Sequence, residues 1–196
     1  MRLVCARFTF VCADDILASK FKRQIEMLIL VSGKNSSGKS AYAEKIAVRF
    51  DGTRYYIATM IPHGSGGLER IVKHRRQREG MGFITLEQTQ NISSLQLEDG
   101  CAVLLEDVSN LLANAMFASD NSSDAVLADI RALCARCCPV VAVTISGLCA
   151  DDYSGETRAY VTQLNRLNTE LYAIADTVVQ LDGGNPVLLK GAVLPV

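Results

Sequence analysis

From Met27 onward, short apolar runs alternate with longer stretches in which apolar residues return every three or four positions. The runs are Leu28 to Val31, Tyr55 to Met60, Ala102 to Leu105, Val140 to Ile145 and Thr177 to Leu181, each of a length suited to a strand buried on both faces. Helical spacing links Ala43, Ile46, Ala47 and Phe50, then Leu68, Ile71 and Val72, and continues across Val126 to Leu133 and Tyr160 to Ala175. Strands that alternate with helices pair in parallel, because the chain must cross over before it can form the next strand. In the tail, Val178 to Leu181 and Val187 to Leu189 flank Asp182, Gly183, Gly184, Asn185 and Pro186, a turn-rich segment that predicts an antiparallel hairpin. The expected fold is therefore α/β: a mostly parallel central sheet flanked by helices, with a C-terminal antiparallel hairpin.

Composition changes this picture only at its edges. A chain of 196 residues without a Pro-rich or Ser-rich linker predicts a single domain over 27–196. Residues 1–26 stand apart: Arg7 interrupts the apolar stretch from Leu3 to Ala13, and Lys20, Lys22 and Arg23 follow it, where an export signal carries its charge first. Because Met27 opens a strand directly, 1–26 is expected to be an upstream N-terminal extension outside the native fold or a loosely attached arm, dispensable for stability and activity. With 20 basic and 21 acidic side chains the net charge is -1, so no global field draws the chain to nucleic acid or acidic membranes, and phosphate chemistry must use local charge. No run approaches the roughly 18 apolar residues of a membrane span. The seven cysteines are odd in number and irregular in spacing, which suits reduced thiols in the cytoplasm. Cys134, Cys137 and Cys138 lack a second pair at zinc-site spacing and read as small apolar residues at a helix end, as do the scattered Cys5, Cys12, Cys101 and Cys149.

The sharpest chemical feature follows the first strand: Gly33, Lys34, Asn35, Ser36, Ser37, Gly38, Lys39 and Ser40, the G-x-x-x-x-G-K-[ST] pattern with a strand before it and an amphipathic helix after it. The glycines let backbone N–H groups turn inward around phosphate oxygens without an obstructing Cβ. Lys39 supplies a positive charge to the β- and γ-phosphates, Ser40 a hydroxyl for Mg²⁺, and the helix N-terminus a partial positive charge. An acid must complete the metal side. Val103 to Leu105 ends in Glu106 and Asp107, two carboxylates that are costly to dehydrate without a nearby cation. Glu106 is the expected metal-side acid with Asp107 as the substitute, while either could instead cap the next helix.

Between Pro62 and Glu87 lies a basic helix, Leu68 to Arg78, in which Arg70, His74 and Arg78 recur every four residues beside the apolar stripe of Leu68, Ile71 and Val72. Guanidiniums on either side disfavour protonation of the imidazole, so His74 is expected to be largely neutral near about pH 7, the form that attacks phosphorus or accepts a proton. The alternative is a solvated basic face that binds phosphates by charge alone.

These segments resemble the bifunctional adenosylcobinamide kinase and adenosylcobinamide-phosphate guanylyltransferase family of cobalamin biosynthesis. The resemblance runs from Met27 to about Lys190 through the P-loop, Tyr56-Ile57-Ala58-Thr59, Arg70-Ile71-x-x-His74-Arg75, Thr85-x-Glu87, Leu104-Leu105-Glu106, Asn114, Asn168 and Ala175-Asp176. It implies a RecA-like P-loop fold, γ-phosphate transfer to the corrinoid hydroxyl, and GMP transfer through a guanylylated histidine that maps onto His74. Lys39, Arg70, Arg78 and Mg²⁺ would offset phosphate charge. By the same resemblance, Ala58, Thr59, Met60, Arg75, Arg76, Gln77, Arg78, Glu87 and Glu106 would join the P-loop in lining the site for GTP or ATP, and the protein would be a cytoplasmic homotrimer. The chain departs from the family at Ile145-Ser146, where Asn-Glu is common, at Arg78-Glu79 in place of Arg-Pro, and at Val161-Thr162 in place of Arg-Asp. These departures are expected to lie toward the corrinoid more than the P-loop. They leave a kinase without the guanylyl step, or a non-catalytic nucleotide-binding paralogue, as alternatives.

Overall fold

A computed structural model describes residues 27–62, 72, 75–76, 78–119 and 122–192. The expected extension 1–26 lies outside the described residues, as do His74, Gln77 and most of the basic helix. The described elements run β1 (Leu28–Gly33), α1 (Lys39–Ala47), β2 (Arg54–Ala58), β3 (Phe83–Glu87), β4 (Ala102–Glu106), α2 (Val108–Ser119), α3 (Ser123–Cys134), β5 (Val140–Ile145), α4 (Gly155–Ile174), β6 (Thr177–Asp182) and β7 (Asn185–Lys190).

The strands form one seven-stranded sheet in the order β3-β2-β4-β5-β1-β6-β7, parallel throughout except for the antiparallel β6–β7 hairpin. This is the expected mostly parallel sheet. The central strands are apolar because both faces are covered. Leu30, Ile57, Leu105 and Ala142 join one core with α2, α3 and α4, while Ile29, Val31, Leu104 and Val143 join the other with Ala43, Ile46 and Ala47 of α1. Gly183 and Gly184 turn the hairpin with φ of 53° and 88°, a conformation that favours glycine. Pro186 is tolerated opposite Leu181 because β7 is the sheet edge.

Two expectations need correction. The second strand stops at Ala58 rather than Met60: Thr59 N still donates to Glu106 O at 3.0 Å, and its side-chain hydroxyl turns to the Asp107 backbone. Cys149 is exposed in the loop after β5, so it does not pack as an apolar residue. Cys101, Cys134 and Cys137 do pack in the core, and the Cys101 thiol faces Cys137 Sγ at 3.3 Å. Among the described residues, no helix is long and apolar enough to cross a membrane.

Candidate functional site

The site is built at the carboxyl ends of β1, β2, β3 and β4, where an open parallel sheet leaves its loops free. At the exit of β1 the chain turns with Ser36 at φ 60° and Gly38 at φ 84°, the latter immediately before α1. The loop is braced internally: Ser37 N donates to Lys34 O at 3.2 Å, and Lys39 Nζ to the same carbonyl at 3.3 Å. Lys39 is only 8% exposed, and α1 has no acid in its first turn, so the positive end of the helix is not neutralised from within. Space is tight at the first glycine. A Cβ at Gly33 would meet Ser37 Oγ at 2.5 Å and the backbone oxygen of Leu181 at 2.9 Å. Gly33→Ala is accordingly expected to cost about 1–3 kcal/mol of stability, read from denaturant unfolding.

β4 delivers the acid. Ser40 Oγ donates to Glu106 Oε1 at 2.5 Å, while Glu106 Oε2 is buried without a hydrogen-bond partner. Asp107 is used otherwise: its Oδ1 accepts from Asn110 N at 2.7 Å and Ser109 Oγ at 2.9 Å, which caps α2. The choice between two acids left open by the sequence is thus divided, one carboxylate facing Ser40 and the other capping a helix. Burial pushes the Glu106 carboxyl up to about 7, against a smaller lowering effect of the Ser40 hydrogen bond. A buried carboxylate with a free oxygen beside a P-loop hydroxyl fits a hard cation such as Mg²⁺.

Because this carboxyl is raised, the folded protein keeps a proton that the unfolded chain has released. The Glu106 contribution to stability therefore falls as pH rises from the ordinary carboxylate range to about 7. In metal-free buffer, the melting temperature of Glu106→Gln relative to wild type should rise as pH increases from about 4 to about 8.

The exits of β2 and β4 are stitched together. Thr59, fully buried, exchanges hydrogen bonds of 2.8 Å with the Asp107 backbone, and Asn114 Nδ2 donates to Thr59 O at 2.7 Å and Thr89 O at 3.1 Å. Ala58 and Met60, half-buried, flank it. Ala58 sits in register between Glu87 of β3 and Glu106 of β4.

Beyond β3 opens a cavity of about 790 Å³ whose wall includes Arg75, Arg76, Arg78, Thr85 and Glu87, with no P-loop residue. Arg75, exposed, is ion-paired to Glu87, also exposed. Arg78 is buried instead, stacked on Tyr56 and facing Glu44 of α1. Of the expected residues, Lys39, Ser40 and Glu106 gather at the loop, and Arg75, Arg76, Arg78 and Glu87 gather at the cavity. His74 and Gln77 lie outside the described residues. Glu44 was not recognised in the sequence, and Tyr56 only as part of the second strand. The available signal was an acid one turn after Ser40 on a helix face otherwise made of Ala43, Ile46 and Ala47.

The departing residues also find places. Ser146 N donates to Gly33 O at 3.1 Å, so Ile145-Ser146 abuts the P-loop, nearer to it than expected. Asn168 holds this strand exit, accepting from Thr144 Oγ1 at 2.7 Å and donating to Ile145 O at 2.9 Å. Asp176 Oδ2 accepts from Leu28 N at 2.9 Å and anchors the start of β1. Val161 is a core residue, 2% exposed, so that position serves packing here.

The sequence profile of one family, described as cobinamide kinase / cobinamide phosphate guanyltransferase, matches residues 29–189. A search of curated proteins returns no match. Among solved structures, similarity is found to the flagellar accessory protein FlaH from Methanocaldococcus jannaschii, at 13% identity over 85% of this chain and 79% of that one, with a TM-score of 0.49. Similarity is also found to an ATPase from the type III secretion system of pathogenic bacteria, at 11% identity over 80% of this chain and 51% of that one, with a TM-score of 0.48.

Proposed function

Because the chain belongs to the cobinamide kinase / cobinamide phosphate guanyltransferase family, transferases of cobalamin biosynthesis, we propose that it carries out both group transfers, with GTP or ATP as phosphate donor and GTP as guanylyl donor. In the first, the hydroxyl oxygen on the aminopropanol arm of adenosylcobinamide bonds to the γ-phosphorus, the bridging P–O bond breaks, and the nucleoside diphosphate leaves. In the second, a nitrogen of His74 bonds to the α-phosphorus of GTP and pyrophosphate departs. An oxygen of the corrinoid phosphate then displaces the imidazole and takes the GMP. A covalent intermediate divides one hard displacement into two easier ones.

The observation that carries the reading is the Ser40–Glu106 pair at the mouth of a folded P-loop, with Glu106 Oε2 buried and unpartnered. Lys39, already drawn in to the loop, offsets charge on the β- and γ-phosphates, and the backbone N–H groups of 34–40 orient them. A bound Mg²⁺ would be held by Ser40 and Glu106 and would supply further charge to the same oxygens. Arg75 and Arg76, in the wall of the cavity beside β3, supply cations that would offset charge during the guanylyl transfer.

We extend the proposal to a cytoplasmic homotrimer. β7 is an edge strand with Val187, Leu188 and Leu189 exposed at 46%, 39% and 45%, apolar surface that a second copy would cover. Sedimentation would test it against the 21.3 kDa monomer. The functional test is incubation with Mg²⁺, adenosylcobinamide and γ-labelled GTP or ATP. Labelled corrinoid is expected, and nucleotide binding without transfer would leave the chain a non-catalytic member of its family.

A further inference from the structure

The Arg78 side chain is held between two elements of the fold, β2 and α1. Its guanidinium carbon lies 3.4 Å from the centroid of the Tyr56 ring, and Nη1 is 4.0 Å from Glu44 Oε1. The side chains of Arg78 and Glu44 are 5% and 6% exposed, and Arg78 Nε and Nη1 have no hydrogen-bond partner. A guanidinium over an aromatic face is attracted by the ring quadrupole, more strongly once water is excluded. Its burial nevertheless remains costly without an anion, and Glu44 is the anion provided. The backbone around it is a closed turn: Arg78 N donates to Arg75 O, Glu79 N to Arg76 O and Met81 N to Arg78 O, at 3.2, 3.2 and 3.0 Å. This turn carries Arg75 and Arg76 into the cavity wall.

We propose that Arg78 is a positioning residue: clamped by Tyr56 of β2 and Glu44 of α1, it fixes the Arg75–Met81 turn, and with it the guanidiniums of Arg75 and Arg76, relative to the P-loop helix. This revises the phosphate-binding role expected from resemblance for Arg78, and its catalytic consequence rests on the functional reading above. The clamp itself does not. Glu44 shares a helix with Lys39 and Ser40, so the ion pair ties the turn to the helix that follows the P-loop.

The test compares wild type with Glu44→Gln, which keeps shape and removes charge, and with Tyr56→Leu. Amide hydrogen exchange at Arg78, Glu79 and Met81 reads the clamp, and steady-state kinetics of the guanylyl step reads its consequence. Both variants should exchange faster at these amides. The kcat of the guanylyl step should fall about tenfold, because small displacements of positioning groups are expensive. KM for GTP should stay within about twofold, and γ-phosphate transfer should change less than the guanylyl step. A direct phosphate contact predicts another outcome: Arg78→Lys raises KM for GTP, and Glu44→Gln, by freeing the guanidinium, leaves kcat intact. Unchanged exchange in Glu44→Gln overturns the clamp. Faster exchange with unchanged kcat overturns the positioning role. A wild type without any guanylyl step counts against the functional reading, and exchange still decides the clamp. Should Tyr56→Leu fail to fold, the near-isosteric Glu44→Gln decides alone.

Discussion

Lys39→Ala should lower kcat/KM for γ-phosphoryl transfer by about 10²–10³-fold, the loss typical of removing one preorganised charge from a transition state. The size follows from preorganisation. Lys39 is 8% exposed, and its ammonium donates to Lys34 O before any phosphate arrives. It therefore sits in place, with much of its hydration already surrendered, so little reorganisation is needed when charge builds on the transferred phosphoryl group. Alanine also removes the donor to Lys34 O, but Lys34 is an exposed loop residue and water can replace the bond. The melting temperature should move by no more than a few degrees, which separates lost catalysis from lost fold. Stopped-time assays of labelled corrinoid, paired with thermal melts, check both halves.

Glu106→Gln should lower activity by a similar factor while raising stability above neutral pH. Glutamine can still accept from Ser40 Oγ, so the local hydrogen bond survives, but the charge that would hold a divalent cation is gone. Turnover at limiting Mg²⁺ should fall by about 10²-fold or more, with only part recovered at high Mg²⁺. The metal-free variant should melt higher than wild type above neutral pH, because burial is the main influence disfavouring the Glu106 carboxylate. A variant that is both less active and less stable would indicate that Glu106 serves the fold rather than the metal.

Much of the sheet could be read from the sequence because its central strands are covered on both faces. Leu28–Gly33 and Val140–Ile145 are buried almost residue for residue, and such strands must be apolar runs. β3 was not legible. It is an edge strand, paired only to β2, and its sequence Phe-Ile-Thr-Leu-Glu leaves Ile84 48% exposed, so neither an apolar run nor a clean alternation marks it. The hairpin was legible from Gly183 and Gly184, since that turn demands positive φ at both.

The same contrast holds at the site. The P-loop can be read from a single sequence because its chemistry depends on backbone shape, and backbone shape constrains residue type at fixed spacing. The division of labour between Glu106 and Asp107 could not be read. Both end one apolar run, and only folding shows that Asp107 reaches Asn110 N while Glu106 turns to Ser40. The Glu44–Arg78 pair is further from view: Glu44 stands out only as an acid on an otherwise apolar helix face, and its pairing with an Arg stacked on Tyr56 of β2 is made by the fold.

In the proposed mechanism one triphosphate cradle serves two transfers, the second through His74. The most direct measurement is incubation with Mg²⁺ and GTP labelled at the α-phosphate, followed by acid treatment of the protein, with His74→Ala in parallel. Acid-labile label on the wild type and none on the variant is the predicted result. Equal labelling of both, or none on a wild type that still transfers γ-phosphate to cobinamide, would contradict it.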